Sequence, residues 1–273
     1  MIIGIIQPMT SESTPQKFKP PYPFAPITEA VVEFRFESQL EEGEMTKISG
    51  KLAAKYPNEQ IQISKAVKFD LDIEGERATA NFGQGNKTFR RSNDDQNEIA
   101  LLGGHSFTIS QLALYPSWEQ FLDRIIRDRE ICNKVIGYRK IVQIGMRYIN
   151  RIDVPFDSDG MARHEDYLTI QVQLPDEYAN HIGYNLTVQI PLKELKCVAN
   201  IQSGAVPSPL PKHVAFILDI DLIRTVDVPQ KDDDIYSLLA EMRQAKNSLF
   251  EAFITDTARE RFYHGQSLQQ PSA

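Results

Sequence analysis

Residues 23–36 show a two-residue alternation of apolar and charged side chains that favours a strand. Pro23 and Pro26 stiffen the approach to it. One side of the alternation is apolar and consists of Ala30, Val32, Phe34 and Phe36. The other side is mostly charged and consists of Glu29, Val31, Glu33 and Arg35. A period of two is typical of a half-buried strand, so the chain is expected to build a sheet with one apolar and one polar face.

Length, charge and cysteine usage set the broad class of protein. A chain of 273 residues buries about three quarters of its unfolded surface, so no disulfide is needed for stability. The net charge of −7 argues against a general nucleic-acid or membrane-surface binder. Cys132 and Cys197 lie far apart without metal-ligand spacing, which favours two buried thiols in a reducing compartment. No apolar run reaches membrane-spanning length, and the prediction is a cytoplasmic protein with no membrane association.

The order of periodic segments predicts an α+β fold. Helices are expected at 39–56, at 117–136 with Ser117 as its cap, and from 232 onward with a break near Thr255. The remaining periodic segments alternate as strands, at 61–74, from 77, 98–115, 140–154, 167–174, 184–192, 198–202 and 214–226. This order is similar to that of helix-grip folds. We therefore expect two lobes, each a curved antiparallel sheet packed on a long helix.

The predicted domain boundary lies near Gly137. Residues 22–137 form the first lobe and residues 138–264 the second, while 1–21 and 265–273 are expected to be flexible tails. Two open sheets have exposed edge strands, which must be protected by charged residues or proline, or must pair with another strand. Residues 98–102 and 107–114 lack proline and lysine, so they are predicted to pair the lobes with each other or to form a homodimer, which is preferred.

Three motifs resemble a known family. They are Ala-Pro-Ile-Thr-Glu-Ala-Val-Val-Glu-Phe-Arg at 25–35, Gly-Met-Arg-Tyr-Ile-Asn-Arg-Ile at 145–152 and Leu-Asp-Ile-Asp at 218–221. Together they resemble a sporadically distributed family of bacterial proteins of unknown function that carries an N-terminal Ala-Pro-Ile-x-Glu-Ala-Val motif. The resemblance covers about residues 20–262. It implies a bacterial, cytoplasmic, single-chain protein, and the scattered distribution suggests mobile or defence-associated gene neighbourhoods.

The strongest charged constellation joins two strands of the second lobe. Asp219 and Asp221 share one face of the last strand, and Arg147 and Arg151 share one face of the first. Two carboxylates at this spacing could hold a divalent ion. The preferred interpretation is a set of arginine–carboxylate pairs across adjacent strands, because the arginines compete with a cation. We expect Arg147 or Arg151 to lie within salt-bridge distance of Asp219 or Asp221.

Two further segments have charged patterns. Lys87-Thr88-Phe89-Arg90-Arg91 interleaves an aromatic ring with cations, which resembles a nucleic-acid contact, although a solubilising hairpin is preferred. The second segment resembles the start of a calcium-binding loop and contains Asp153, Asp157, Asp159 and Gly160. The closing glutamate of that loop is missing, so a solvated turn is expected.

The sequence contains no nucleophile, metal or phosphate motif, so no catalytic residue, metal ligand or cofactor is assigned. We therefore predict a non-catalytic binding or regulatory subunit of a larger bacterial system, such as antiphage defence, with a protein partner. One alternative is a nucleic-acid or nucleotide-binding module that uses Arg90, Arg91, Arg147 and Arg151. A second alternative is a carboxylate-dependent metalloenzyme centred on Asp219 and Asp221.

Overall fold

The chain folds around one nine-stranded antiparallel sheet. A computed structural model describes residues 20–64, 67–72, 77–82, 86–178 and 182–265. The strands of this sheet are β1 (Ile27–Phe36), β2 (Asn58–Ser64), β5 (Asn86–Ser92), β6 (Glu98–Gly103), β7 (Ser106–Leu112), β8 (Ile141–Pro155), β9 (Asn185–Leu192), β10 (Cys197–Pro207) and β11 (His213–Arg224). A separate hairpin pairs β3 (Val67–Asp72) with β4 (Arg77–Phe82). The order across the large sheet is β2-β5-β6-β7-β1-β8-β11-β10-β9.

β1, the strand indicated by the alternation at 23–36, is the central strand of the nine. It pairs with β7 on one edge and with β8 on the other, so Val32 lies between Ile109 and Met146. Its apolar side is buried and its charged side is half-buried or exposed, as the period of two predicts. Burial of a large side chain such as Phe34, which is 1% exposed, stabilises the fold by about 1.5–3 kcal/mol.

Pairing of β1 with β8 joins the two predicted lobes into one sheet. The two-lobe helix-grip arrangement, with lobes at 22–137 and 138–264, is therefore not confirmed. β1 has two edges, and β7 satisfies the backbone groups of only one of them. The long β8 satisfies the other, because nine of its residues take register positions opposite β1. The apolar side chains of both halves accordingly belong to one core cluster.

The segments predicted as open edges lie inside the sheet. β6 runs between β5 and β7, and β7 runs between β6 and β1. Neighbouring strands of the same chain therefore satisfy the backbone groups of 98–102 and 107–114, so these segments need neither pairing between lobes nor a second chain to cover an open edge. The homodimer stays a prediction without that argument. The edges of the large sheet are β2 and β9.

Within the described residues, four α-helices accompany the sheet: α1 (Glu42–Leu52), α2 (Trp118–Ile136), α3 (Asp232–Phe253) and α4 (Asp256–His264). α2 begins as predicted, because the Ser117 side chain accepts a hydrogen bond from the Gln120 backbone N–H at 3.2 Å. It ends at Gly137, whose φ of 64° suits glycine. α4 begins at the predicted recapping point, where the Thr255 side chain accepts from the Ala258 N–H.

The three longer helices cover one face of the sheet, which we call the covered face. Arg129 of α2 lies over the Phe34 ring of β1, and Lys246 of α3 lies over the Tyr148 ring of β8. Both rings belong to the buried side of their strands. The opposite face, which carries Glu29, Val31, Glu33 and Arg35, is called the open face.

Most residues predicted to face the sheet do so. In α2, Trp118, Ile125 and Cys132 are buried, while Leu122 is partly buried. In α3, the buried residues are Leu238 and Met242, while Leu249 and Phe253 are partly buried. Cys132 and Cys197 are both buried free thiols, as expected. Burial raises the pKa of the Cys132 thiol to about 12, so this thiol is unreactive near neutral pH.

Some predicted elements differ from the structure. Residues 167–174 form no strand, and only an isolated bridge joins Leu168 to Ile254. The single strand predicted at 61–74 is replaced by β2 and β3. Residues 1–19 and 266–273, which make up most of the predicted tails, lie outside the described residues. None of the described helices is long and apolar enough to span a lipid bilayer.

Candidate functional site on the open face

The open face brings charged residues of three adjacent strands together at the middle of the sheet. In the β-sheet register, Val31 of β1 lies opposite Arg147 of β8, and Arg147 lies opposite Asp221 of β11. Asp221 in turn lies opposite Asn200 of β10. Neighbouring strands are about 4.8 Å apart, so these side chains are close neighbours. Because period two also places Asp219 on this face, both predicted aspartates belong to the group.

Arg147 forms a two-pronged ion pair with Asp219. Its Nε lies 2.9 Å from Oδ1, and its Nη2 lies 2.5 Å from Oδ2. Asp219 is 4% exposed, whereas the Arg147 side chain is 44% exposed. The predicted pairing across these strands is therefore confirmed for Arg147 and Asp219. The guanidinium reaches diagonally along the face, because the residue directly opposite it in register is Asp221.

Among the residues that the structure describes, Asp221 has no such partner. Burial raises the pKa of its carboxyl to about 6, and the field of Arg147 only partly offsets the effect of burial. The negative charges of Asp219 and Glu33 raise this pKa further. An interaction with the Asn200 side chain lowers it, and the Asn200 Oδ1 is itself held by Gln189 Nε2 at 2.9 Å. The carboxyl is thus half-buried with no cation bound to it directly.

Of two glutamates of β1, Glu33 adds negative charge beside Asp221 and Glu29 adds it beside Arg147. Glu33 lies opposite Gly145, which has no side chain to separate Glu33 from β11. Its ion pair is with the exposed Arg35, at a long 3.7 Å. Glu29 accepts a hydrogen bond from the Ser110 hydroxyl at 2.5 Å. We call the group formed by Glu33, Arg147, Asn200, Asp219 and Asp221 the Asp221 patch.

Arg151 lies outside the Asp221 patch. Its guanidinium binds Asp153, at 3.0 Å, and the carbonyl of Pro207. It also lines a cleft of about 360 Å³ beside α4, together with Phe24, Arg261 and other residues. The structure therefore separates the two predicted arginines of β8: Arg147 binds a carboxylate of β11, whereas Arg151 binds one on its own strand.

Arg90 and Arg91 point to opposite faces of β5, as consecutive strand residues must. Arg91 is 9% exposed on the covered face, where its Nε donates to Ser49 Oγ at 2.8 Å. It also forms an ion pair with Glu59 and donates to the carbonyl of Tyr56. Arg90 is half-buried on the open face with one long contact to Gln60. The four predicted arginines therefore do not form one basic surface.

The geometry gives little room for a metal ion. Among the described residues, no group of three or more histidine, cysteine, aspartate or glutamate side chains is arranged to hold one. In the calcium-like loop, the Asp157 carboxylate accepts from the backbone N–H groups of Asp159 and Met161 and binds Arg163. The Asp153 carboxylate accepts from Arg151 and Ser208. The interpretation of this segment as a turn is confirmed.

Comparisons with known proteins do not assign this chain to a family. No protein-family model matches this chain, and a search of curated proteins finds no significant match. The family resemblance drawn from the three motifs stays a prediction.

Sequence reasoning missed several members of the site. Glu33 was identified only as an outward-facing residue of β1, and Asn200 was not singled out. The alternation within β1 and β10 does indicate their outward direction, but no local pattern shows that these strands flank β8 and β11. Lys246 was also missed, although its spacing from Leu239, Met242 and Phe250 places it in the apolar stripe of α3.

Proposed function

We propose that the protein is a non-catalytic binding subunit whose Asp221 patch binds an arginine or lysine side chain presented by a protein partner. The observation that carries this proposal is the Asp221 carboxyl. It is half-buried beside two other carboxylates, and the nearest cation, Arg147, places all its hydrogen bonds on Asp219. A cation from outside would complete the patch.

Charge complementarity argues for a protein partner in preference to a nucleic acid. Phosphate groups require uncompensated cations, and Arg147 is compensated by Asp219 while Arg91 is buried on the covered face. A guanidinium or ammonium group, by contrast, can bind Asp221 and Glu33 together. The surrounding open face carries exposed polar side chains on β9 and β10, such as Gln189 and Gln202.

The site is proposed to work by pairing and not by chemistry. Asp221 and Asp219 lie on one face, but the arginine fork on Asp219 occupies both of its oxygen atoms. A cation that binds Asp221 would lower the pKa of that carboxyl, so binding is expected to release a proton near pH 6. The wider system in which such a subunit acts, for example antiphage defence, stays a prediction.

A pull-down experiment that compares three forms of the protein tests this proposal. The wild-type protein, the double variant Asp221→Asn/Glu33→Gln and the control Glu130→Gln are immobilised and exposed to the same bacterial lysate. Glu130 is a suitable control because it is an exposed carboxylate of α2 on the covered side. We expect a protein that is retained by the wild type and the control but lost from the double variant. Equal retention by all three would refute the assignment, and loss after nuclease treatment would favour the nucleic-acid alternative.

A further inference from the structure

The covered face contains a second group of charges, between α2 and α3. Lys246 of α3 is 8% exposed, and its Nζ lies 3.9 Å from the centroid of the Tyr148 ring. Within the described part of the chain this amine has no hydrogen-bond acceptor and no carboxylate partner. The amine nitrogen keeps slight contact with solvent, but a largely buried ammonium group without a protein partner is still unfavourable, and the ring face compensates only in part.

Arg243 lies one turn earlier on α3 and is half-buried. Its guanidinium lies 5.4 Å from the ring of Trp118, the first residue of α2. No ion pair or hydrogen bond joins it to the residues that the structure describes. Residues three apart share a helix face, so Arg243 and Lys246 are like charges that repel each other.

Two tyrosine hydroxyl groups adjoin these cations. Tyr115 Oη and Tyr148 Oη are 3.1 Å apart, and Tyr148 is 1% exposed. Burial raises the pKa of both, so the hydroxyls remain protonated at neutral pH. One hydroxyl hydrogen forms the hydrogen bond between Tyr115 and Tyr148, so the hydrogen of the other hydroxyl is free to donate.

Two carboxylates offset this charge only through their electric field: Glu251 raises the pKa of Lys246 and Arg243 lowers the pKa of Glu119, but neither carboxylate binds Arg243 or Lys246 directly. Glu251 of α3 is engaged by the Tyr22 hydroxyl and by Arg259. Glu119 of α2 is exposed to solvent and is held by Ser117 and by its own backbone N–H. The remaining charged group near the tyrosines is Arg124 of α2, which adds positive charge. The region called here the Lys246 cluster, formed by Tyr115, Tyr148, Arg243 and Lys246, therefore has an excess of donors and positive charge.

We propose that the Lys246 cluster binds a phosphate group between α2 and α3, with Arg243 and Lys246 as its cationic ligands and a tyrosine hydroxyl as a further donor. A phosphate oxyanion supplies the acceptors and the negative charge that the cluster lacks. The phosphate group comes from free phosphate or from a phosphomonoester. This site is on the opposite face from the Asp221 patch, so it does not depend on the proposed partner.

Fluorescence of Trp118 provides the direct test, because it is the only tryptophan of the chain and contacts Arg243. Inorganic phosphate and methyl phosphate are titrated at constant ionic strength, with chloride as the balancing ion. We expect a saturable change for the wild type. A lower apparent Kd for methyl phosphate than for inorganic phosphate would identify a phosphomonoester as the ligand class. A lower apparent Kd for inorganic phosphate would identify free phosphate.

Variants establish where the phosphate binds. Lys246→Met and Arg243→Gln should each weaken the response by about tenfold or more, because each removes a charge-assisted contact. Lys134→Met, which removes an exposed lysine of α2, should leave it unchanged. Lys246→Met is expected to fold, since it places an apolar side chain of similar length in the apolar stripe, and circular dichroism checks this. An absent or non-saturable response of the wild type, or an equal response in Lys246→Met, would overturn the proposal.

Proton uptake gives a second readout. Burial lowers the pKa of Lys246 to about 7, and the field of Arg243 lowers it further while Glu251 raises it. A bound phosphate would raise this pKa again, so binding at about pH 8 should take up a fraction of a proton. Calorimetry in buffers of different ionisation enthalpy measures that uptake. Proton uptake on phosphate binding by the wild type, but not by Lys246→Met, would support the site. The same proton uptake by both proteins would contradict it.

Discussion

Among the described residues, the two faces of the sheet leave charges of opposite sign without a partner. On the open face, Asp219 is 4% exposed and both of its oxygen atoms bind Arg147, while Asp221, two residues further on, has no direct counter-ion in the described part of the chain. On the covered face, Asp128 is completely buried and accepts hydrogen bonds from Tyr56 and Arg127, while Lys246 has no acceptor among the described residues. Each face thus contains a compensated charge and an uncompensated one.

This difference separates structural charges from candidate binding groups. A compensated buried charge need not stabilise the fold, but removing it leaves its partner without a counter-charge, which is costly. An uncompensated charge lowers stability, and groups of this kind cluster at functional sites. The two proposals rest on this distinction: Asp221 is expected to bind a cation, and Lys246 an anion.

The largest expected effect is the loss of a compensated charge on the covered face. Asp128→Ala should lower the free energy of unfolding by about 3–5 kcal/mol, because the Tyr56 hydroxyl and the Arg127 guanidinium lose their buried acceptor. Denaturant unfolding measures the change. Asp123→Ala, at an exposed position of the same helix, should change stability by about 0.5 kcal/mol or less. Equal effects of the two would show that Asp128 is not a structural charge.

Removing the uncompensated charge of the covered face should have the opposite sign. Lys246→Met is expected to stabilise the protein by on the order of 3 kcal/mol near pH 6. The folded-state pKa of about 7 lies below the ordinary value, so the wild type gains stability as the pH rises from 7 towards 10.5. The advantage of the variant should therefore disappear by about pH 10. A pH-independent loss of stability in thermal unfolding would argue that Lys246 is compensated.

On the open face, the two aspartates should respond in opposite directions. Asp219→Asn should destabilise the protein by about 1–2 kcal/mol, because it removes the fork to the partly exposed Arg147. Asp221→Asn should stabilise it by about 1 kcal/mol near pH 7.5, after allowance for solvent screening. The folded-state pKa of about 6 lies above the ordinary value of about 3.9, so the wild type loses stability as the pH rises from about 4 to about 6, and the gain of the variant should vanish near pH 4. Denaturant unfolding measures both changes in stability. A change of the same sign in both variants would contradict the distinction between a compensated Asp219 and an uncompensated Asp221.

The sequence predicted the local features of this fold well. The alternation in residues 23–36 identified the strand that became the centre of the sheet, and the Ser117 cap placed the start of α2. The same period of two placed Asp219 on one face of its strand and Arg147 on one face of its own, which led to the confirmed ion pair. Each of these follows from residues a few positions apart.

The sheet as a whole depends on contacts that no local pattern determines. The alternation in β1 does not show that β8 pairs with its second edge, so one sheet was interpreted as two lobes. Arg90 and Arg91 were grouped although consecutive strand residues point to opposite faces. Lys246 lies in an apolar stripe where a long aliphatic stem fits, and its missing partner becomes evident only when the neighbouring helix and sheet are placed.

The pKa of Asp221 tests the central distinction most directly. Carboxyl ¹³C NMR of the wild type, assigned with Asp221→Asn, should show this group titrating at about 6. In Asp219→Asn, Arg147 is released and lies opposite Asp221 in register, so the Asp221 pKa should fall. A wild-type Asp221 that titrates near the ordinary value of about 3.9, with no change in Asp219→Asn, would show that it is already compensated and would contradict the account.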